Sequence, residues 1–136
     1  MATHVLDDVS IVVNSVDLSD HLESLTLTYT GDTPEDTAMG DANRSYLASG
    51  LTDWDISGTF RQDFAAAKVD ATLFSIVATS VTTTLKPTSG AVSATNPSFA
   101  GSTILDSYNP IDGSVGDSHT VPFSLKGTGA LTRATS

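Results

Sequence analysis

From Leu25 the chain alternates strictly, with Leu25, Leu27 and Tyr29 on one side and Thr26, Thr28 and Thr30 on the other, which predicts a half-buried β-strand. The pattern returns where Trp54, Ile56, Gly58 and Phe60 alternate with Asp53, Asp55, Ser57, Thr59 and Arg61. Upstream, the β-branched run at residues 9–13 meets Asn14-Ser15 and resumes at Val16, as a hairpin does around a tight turn. Leu18-Ser19-Asp20-His21 then reads as a polar corner. Residues 81–85 alternate and are closed by Pro87, residues 99–108 form a weaker strand, and Val121, Phe123 and Leu125 alternate again, Pro122 pointing to an edge or a bulge. Helical spacing occurs once: Ala66, Val69, Leu73, Ile76 and Val77 predict a helix from residue 64 to about 78, with Asp63 as its N-cap.

The connection at 31–50 is rich in Gly, Asp and Ala and far exceeds the usual loop of about 4 to 6 residues. Segments 88–97 and 109–117 read as shorter loops, and residues 127–136, small and polar, as a mobile tail. The count is six to seven strands with one helix after the third or fourth. That predicts a mainly β fold, a β-sandwich or small barrel with one flanking α-helix, in a single domain spanning residues 1–136. No internal repeat is visible. Leu25, Leu27, Trp54, Ile56 and Phe60 are the expected core, closed by Leu73 and the rest of the helix's apolar face.

Composition supports strands over helices, with 20 Thr, 18 Ser and 14 Asp against 2 Glu, 3 Lys and 3 Arg. The formal charge of -10 opposes gripping a phosphate backbone or an anionic membrane. With no Cys there is no disulfide framework, thiolate nucleophile or thiolate metal site, so packing or association must stabilise the fold. The first eight residues lack a basic segment followed by an apolar one, and nowhere do about 18 apolar residues run together, so neither an export signal nor a membrane span is expected.

Candidate chemistry is sparse. Of the three His, His4 lies in the terminal segment, His21 at the polar corner and His119 in Gly116-Asp117-Ser118-His119, three residues of which match a serine-protease nucleophile loop before the fourth departs. A hydrogen-bonding turn is the better reading. Asp7-Asp8, Asp53 with Asp55, and Asp112 with Asp117 are expected to be solvated strand and turn residues, since no metal-ligand spacing accompanies them. Asn43-Arg44-Ser45 matches a glycosylation sequon without an export signal to give it meaning. No catalytic residue, cofactor or metal site is expected. What remains points to association: open sheet edges, and a long loop with apolar beads at Met39, Tyr46, Leu47 and Leu51.

VNSVDLSDHLESLTLTY near the start, DTAMGDANRSYLASGLTDWDISGTFRQDFAAAKVDATLF, KPTSGAVSATNPSFAGSTIL and the terminal GALTRATS together resemble the tail tube (major tail) proteins of long-tailed bacteriophages and prophages. The resemblance runs nearly end to end. Its most specific parts are the strand-turn VNSVDLSDH, the Trp54 strand leading through Gln62-Asp63-Phe64, and Ala94-Thr95-Asn96-Pro97. It implies a β-sandwich flanked by a helix, whose copies form six-membered rings stacked into a tube in the virion tail. It also implies a terminator and a tape measure as partners, and DNA that passes without specific binding.

On that implication the 31–50 loop would order against a neighbouring copy, with Asp32, Thr33, Met39, Asp41, Arg44, Tyr46 and Leu47 as inter-subunit residues. One outward sheet face would line the channel, the candidates being Thr26, Thr28, Asp53, Asp55, Ser57 and Thr59, a set with no long basic side chain before Arg61. Two other classes stay open: a capsid decoration or head-tail joining protein, and a carbohydrate-binding or adhesin module. The second is weakened by a single Trp on a core-facing position.

Overall fold

The computed structural model describes residue 5, residues 7–48 and residues 50–136. Seven strands follow in chain order: β1 (Ser10–Val13), β2 (Val16–Asp17), β3 (Leu22–Gly31), β4 (Thr52–Arg61), β5 (Ser80–Lys86), β6 (Ser98–Tyr108) and β7 (Thr120–Ala134). A 3-10 turn at Ser19–His21 precedes β3, and the helix α1 (Val69–Ser75) separates β4 from β5. All seven strands pair antiparallel in one sheet of order β2-β1-β5-β6-β7-β4-β3, curled into a half-barrel. The mainly β architecture with one helix is as the alternation predicts. Among the described residues no helix is long and apolar enough to cross a membrane.

Local chemistry explains the turns. Asn14 and Ser15 both hold positive φ, 50° and 66°, the two left-handed residues that a tight β1–β2 hairpin demands. The helix is shorter than its spacing predicts. Asp63 does not cap it: its carboxylate accepts from the Ala65 N–H at 2.9 Å in a local turn, and its carbonyl accepts from the Asp70 N–H at 3.1 Å. Ala67 then turns left-handed at φ 60°, so α1 starts only after Lys68, with Val69, Leu73 and Ile76 on the face against the sheet. Phe64 is left exposed.

Two further expectations are corrected at β7. Residues 127–134 are not a mobile tail but the second half of this strand, paired with β6 from Thr103↔Gly127 to Ser98↔Ala134. Their small, polar make-up fits a solvated ladder as well as it fits a frayed end. Nor is β7 an edge, because β4 and β6 flank it. Pro122 is tolerated because a residue's N and C=O point to the same side of a strand. Its carbonyl accepts from Asn109, so its nitrogen points where β6 has already ended and no bond toward β4 is lost. The irregularities lie elsewhere, on β6 at Asp106 between Leu105 and Ser107, and on β7 at residues 129–131, which face Gly101 alone.

The apolar face of the sheet and α1 share one core. Trp54, Ile56, Phe60 and Leu73 are buried in it, with the Phe60 and Phe123 rings stacked at 4.4 Å. Leu25 and Leu27 are only half-buried against it, since β3 ends the sheet and has a strand on one side alone. Leu18, placed in a polar corner by its neighbours, is fully buried. Two threonines sit deep in this core: the Thr83 and Thr103 hydroxyls share a hydrogen bond at 2.8 Å, and Thr103 also donates to the Val81 carbonyl. Pairing removes the penalty of burying either hydroxyl alone.

Candidate assembly surfaces

Between β3 and β4 the chain does not wander as a loop. The antiparallel ladder continues outward from the sheet: Asp32 N–H donates to Leu51 O at 2.8 Å, Leu47 N–H to Pro34 O at 2.7 Å and Asp36 N–H to Ser45 O at 2.7 Å. At the tip, Ser45 N–H donates to Thr37 Oγ1 and Ala38 N–H to Asp41 Oδ2, both at 2.8 Å, while Gly40 takes φ 96° to complete the reversal. The result is a two-stranded arm stiffened by its own hydrogen bonds. Every described residue from Asp32 to Ala48 is exposed, so the arm packs on nothing within its own chain.

Among the named arm residues, Asp32 is at the root, Thr33 follows it, and Tyr46 pairs with Glu35 across the arm. Arg44 lies 3.9 Å from Glu35, Asp41 caps the tip, and Met39 stands there fully exposed at 103%. Tyr46, Leu47 and Leu51 add further exposed apolar surface.

The second surface is the polar face of β3 and β4. Register places Thr30 beside Asp53, Thr28 beside Asp55, Thr26 beside Ser57 and Ser24 beside Thr59, all directed away from the core face that carries Trp54, Ile56 and Phe60. The ladder extends the carpet to β7, where Ser57 faces Ser124 and Asp55 faces Lys126. Reading β3 and β4 alone misses that lysine. Its signal was present in the alternation of Val121, Phe123 and Leu125, which turns position 126 outward, but only the register shows which carboxylates it meets.

Lys126 Nζ lies 2.7 Å from Asp53 Oδ2. This bond holds the Asp53 carboxyl below the usual carboxylate range and raises the Lys126 ammonium, to which Asp55 and Asp106 add their charge. Arg61 is paired in turn with Glu23 at 3.4 Å. Both cations of this face are therefore engaged by carboxylates.

The three histidines separate. His4 lies outside the described residues. His21 is held between two carboxylates, Nδ1 2.7 Å from Asp20 and Nε2 2.9 Å from Asp63, and so ties the 3-10 turn to the connection after β4. The Ala65 N–H, and then His21, keep the Asp63 carboxyl below its ordinary range. His119 lies against the Phe64 ring, centroids 5.9 Å apart, and its carbonyl accepts from Gln62 N–H. Asp7, Asp8, Asp20 and Glu23 line one surface depression, where Ser89 donates to Asp8. Among the described residues no group of three or more His, Asp or Glu is placed to hold a metal ion.

No protein-family model and no curated protein sequence matches this chain. Solved structures do. A chain of the virion of a native gene transfer agent (GTA) particle superposes with TM-score 0.74 at 16% identity, covering 97% of this chain and 99% of that one. A chain from the tail of an empty GTA particle, refined with C6 symmetry, gives 0.62 at 16% identity over 82% of this chain and 81% of that one. The SPP1 tail tube gives 0.71 at 12% identity over 95% of this chain and 77% of that one. The chain has the phage tail-tube fold. The arm leaves the sheet as a two-stranded extension of β3 and β4, and the Asp53–Lys126 pair lies on the polar face that these strands share with β7.

Proposed function

We propose that this chain is the repeating structural subunit of a virion's tail tube, copies of which close into six-membered rings that stack around a channel for DNA. The reading rests chiefly on the near end-to-end superposition with a chain of a virion particle, joined by similarity to a tail refined with C6 symmetry and to a tail tube. Its role is structural, not catalytic. In this reading the arm reaches a neighbouring copy through Asp32, Thr33, Met39, Asp41, Arg44, Tyr46 and Leu47. Heterologous contacts of that kind close into rings when the rotation permits.

The polar face of Thr26, Thr28, Asp53, Asp55, Ser57 and Thr59 lines the channel. Its short hydroxyls and carboxylates give a duplex no free cation to pair with, and phosphates are repelled, so DNA passes without being held. The tube's ends meet other tail proteins, a terminator on one side and a tape measure within. Negative-stain microscopy of the purified full chain tests the assembly directly. Rings or tubes are expected; monomers at every concentration would overturn it.

A further inference from the structure

A groove of about 170 Å³ opens where β3, at one end of the sheet, comes near β5 and β6. Its walls are Val9, Leu25, Leu27, Leu85, Pro87 and Phe99, and it explains why the two leucines of β3 are left half-buried. Its rim is basic. Lys86 lines it, and exposed Arg133 lies beside Phe99 in the β6–β7 ladder. Among the described residues neither of these cations is in an ion pair with a carboxylate, unlike Arg44, Arg61 and Lys126.

The arm tip is the complement. Met39, long, flexible and apolar, stands fully exposed between Asp36 and Asp41, while the arm's only cation, Arg44, is turned to Glu35. An unbranched thioether adapts to irregular apolar holes, and a groove of this volume takes about one side chain of that size. The tip does not occupy its own chain's groove, since Met39 is fully exposed. The arm leaves the sheet at Gly31↔Thr52, and after a shift of two residues on its returning side the pairing resumes at Glu35↔Tyr46.

We propose that this groove receives the Met39 tip of a second copy of the chain, with Asp36 and Asp41 of the incoming arm meeting Lys86 and Arg133. The inference rests on the self-assembly proposed above and adds to it the receiving site.

The absence of cysteine makes the test clean. Met39→Cys chains and Leu27→Cys chains are mixed in equal amounts, allowed to assemble and oxidised. A disulfide-linked pair containing one chain of each kind is expected, and neither variant alone should give one. If tubes form without this pair, the contact falls and the tube stands. If the pair forms without rings or tubes, the contact stands and the tube falls; if neither appears, both fall. A second arm uses charged positions outside the core, in case Leu27→Cys folds poorly. Lys86→Glu with Arg133→Glu should cut the assembled fraction at least tenfold by sedimentation, and adding Asp36→Lys with Asp41→Lys should restore it. Unchanged assembly after the first reversal, or no recovery after the second, would overturn the docking.

Discussion

The indole of Trp54 lies directly over Gly127 of the adjoining strand. A Cβ placed on Gly127 would come within 2.3 Å of indole Cδ2 and Cε2, and one on Gly101, a strand further on, within 2.6 Å of Cζ2. The ring thus occupies space that two other strands leave empty, and its Nε1 donates to the Gly129 carbonyl at 3.1 Å.

Trp54→Ala should cost about 3 to 5 kcal/mol by opening a cavity under β6 and β7. Gly127→Ala should cost about 1 to 3 kcal/mol by overpacking. The two act on the same space, so the double variant should be less destabilised than the sum. Denaturant unfolding of all three measures it, and strict additivity would separate the residues.

Ala78 holds φ 62° just beyond α1, where its N–H donates to Leu105 O, and Ala67 holds φ 60° just before it. A side chain in the left-handed region costs about 1 to 2 kcal/mol that glycine avoids. Ala78→Gly should therefore stabilise the domain, by at most about 1 kcal/mol after the extra entropy of the unfolded chain. A lower midpoint for Ala78→Gly in urea would refute the strain.

Acid should loosen the molecule at identifiable places. Asp53 and Asp63 have folded-state pKa values depressed by Lys126 and by the Ala65 N–H with His21. Their contribution is present above the ordinary carboxylate pKa and is lost as pH falls through the depressed folded value. Lys126, raised, contributes below its ordinary pKa and loses that contribution as pH climbs through the raised one. The Asp63→Asn protein should lose less stability than the parent between neutral pH and acid, as followed by the urea midpoint across pH. Parallel curves for the two proteins would remove Asp63 from the account.

Deleting residues 33–43 removes no buried side chain. The shortened protein should melt close to the parent yet fail to form rings or tubes. A large fall in melting temperature would mean that the arm supports the fold, and normal tubes that it has no part in assembly.

Lysines in place of Asp53 and Asp55 would leave Lys126 without its partner and turn the face basic. Assembled tubes of that variant should retain short duplex DNA at low salt and release it at high salt, the mark of counterion release. Equal retention by variant and parent tubes would put this face outside the channel.

Much of this architecture was legible because a strand's period is short. Trp54, Ile56 and Phe60 could be assigned to one side from alternation alone, and Asn14-Ser15 marked its own turn. What pairing decides was not legible. Leu25 and Leu27 alternate as regularly as Trp54 and Ile56, yet β3 has one neighbour and β4 has two, so equal patterns bury to unequal depth. Lys126 joins Asp53 only through register. The helix misled for a different reason, because the alanines at 65–67 favour helix wherever they stand, while the Asp63 turn and left-handed Ala67 override them.

The strand order also sets a timetable for synthesis. β3 and β4 can zip together almost as they leave the ribosome, but β1, paired early with the two-residue β2 alone, finds its second partner only when Leu85 arrives opposite Ile11. That is about 70 residues later, roughly 4 to 15 s at ordinary translation speeds of about 5 to 20 residues per second. Through that interval the edge of β1 that later meets β5 lies open in the nascent chain. A translational pause between the β1 and β5 coding segments should therefore lower soluble yield more than one placed after the whole sheet has been made.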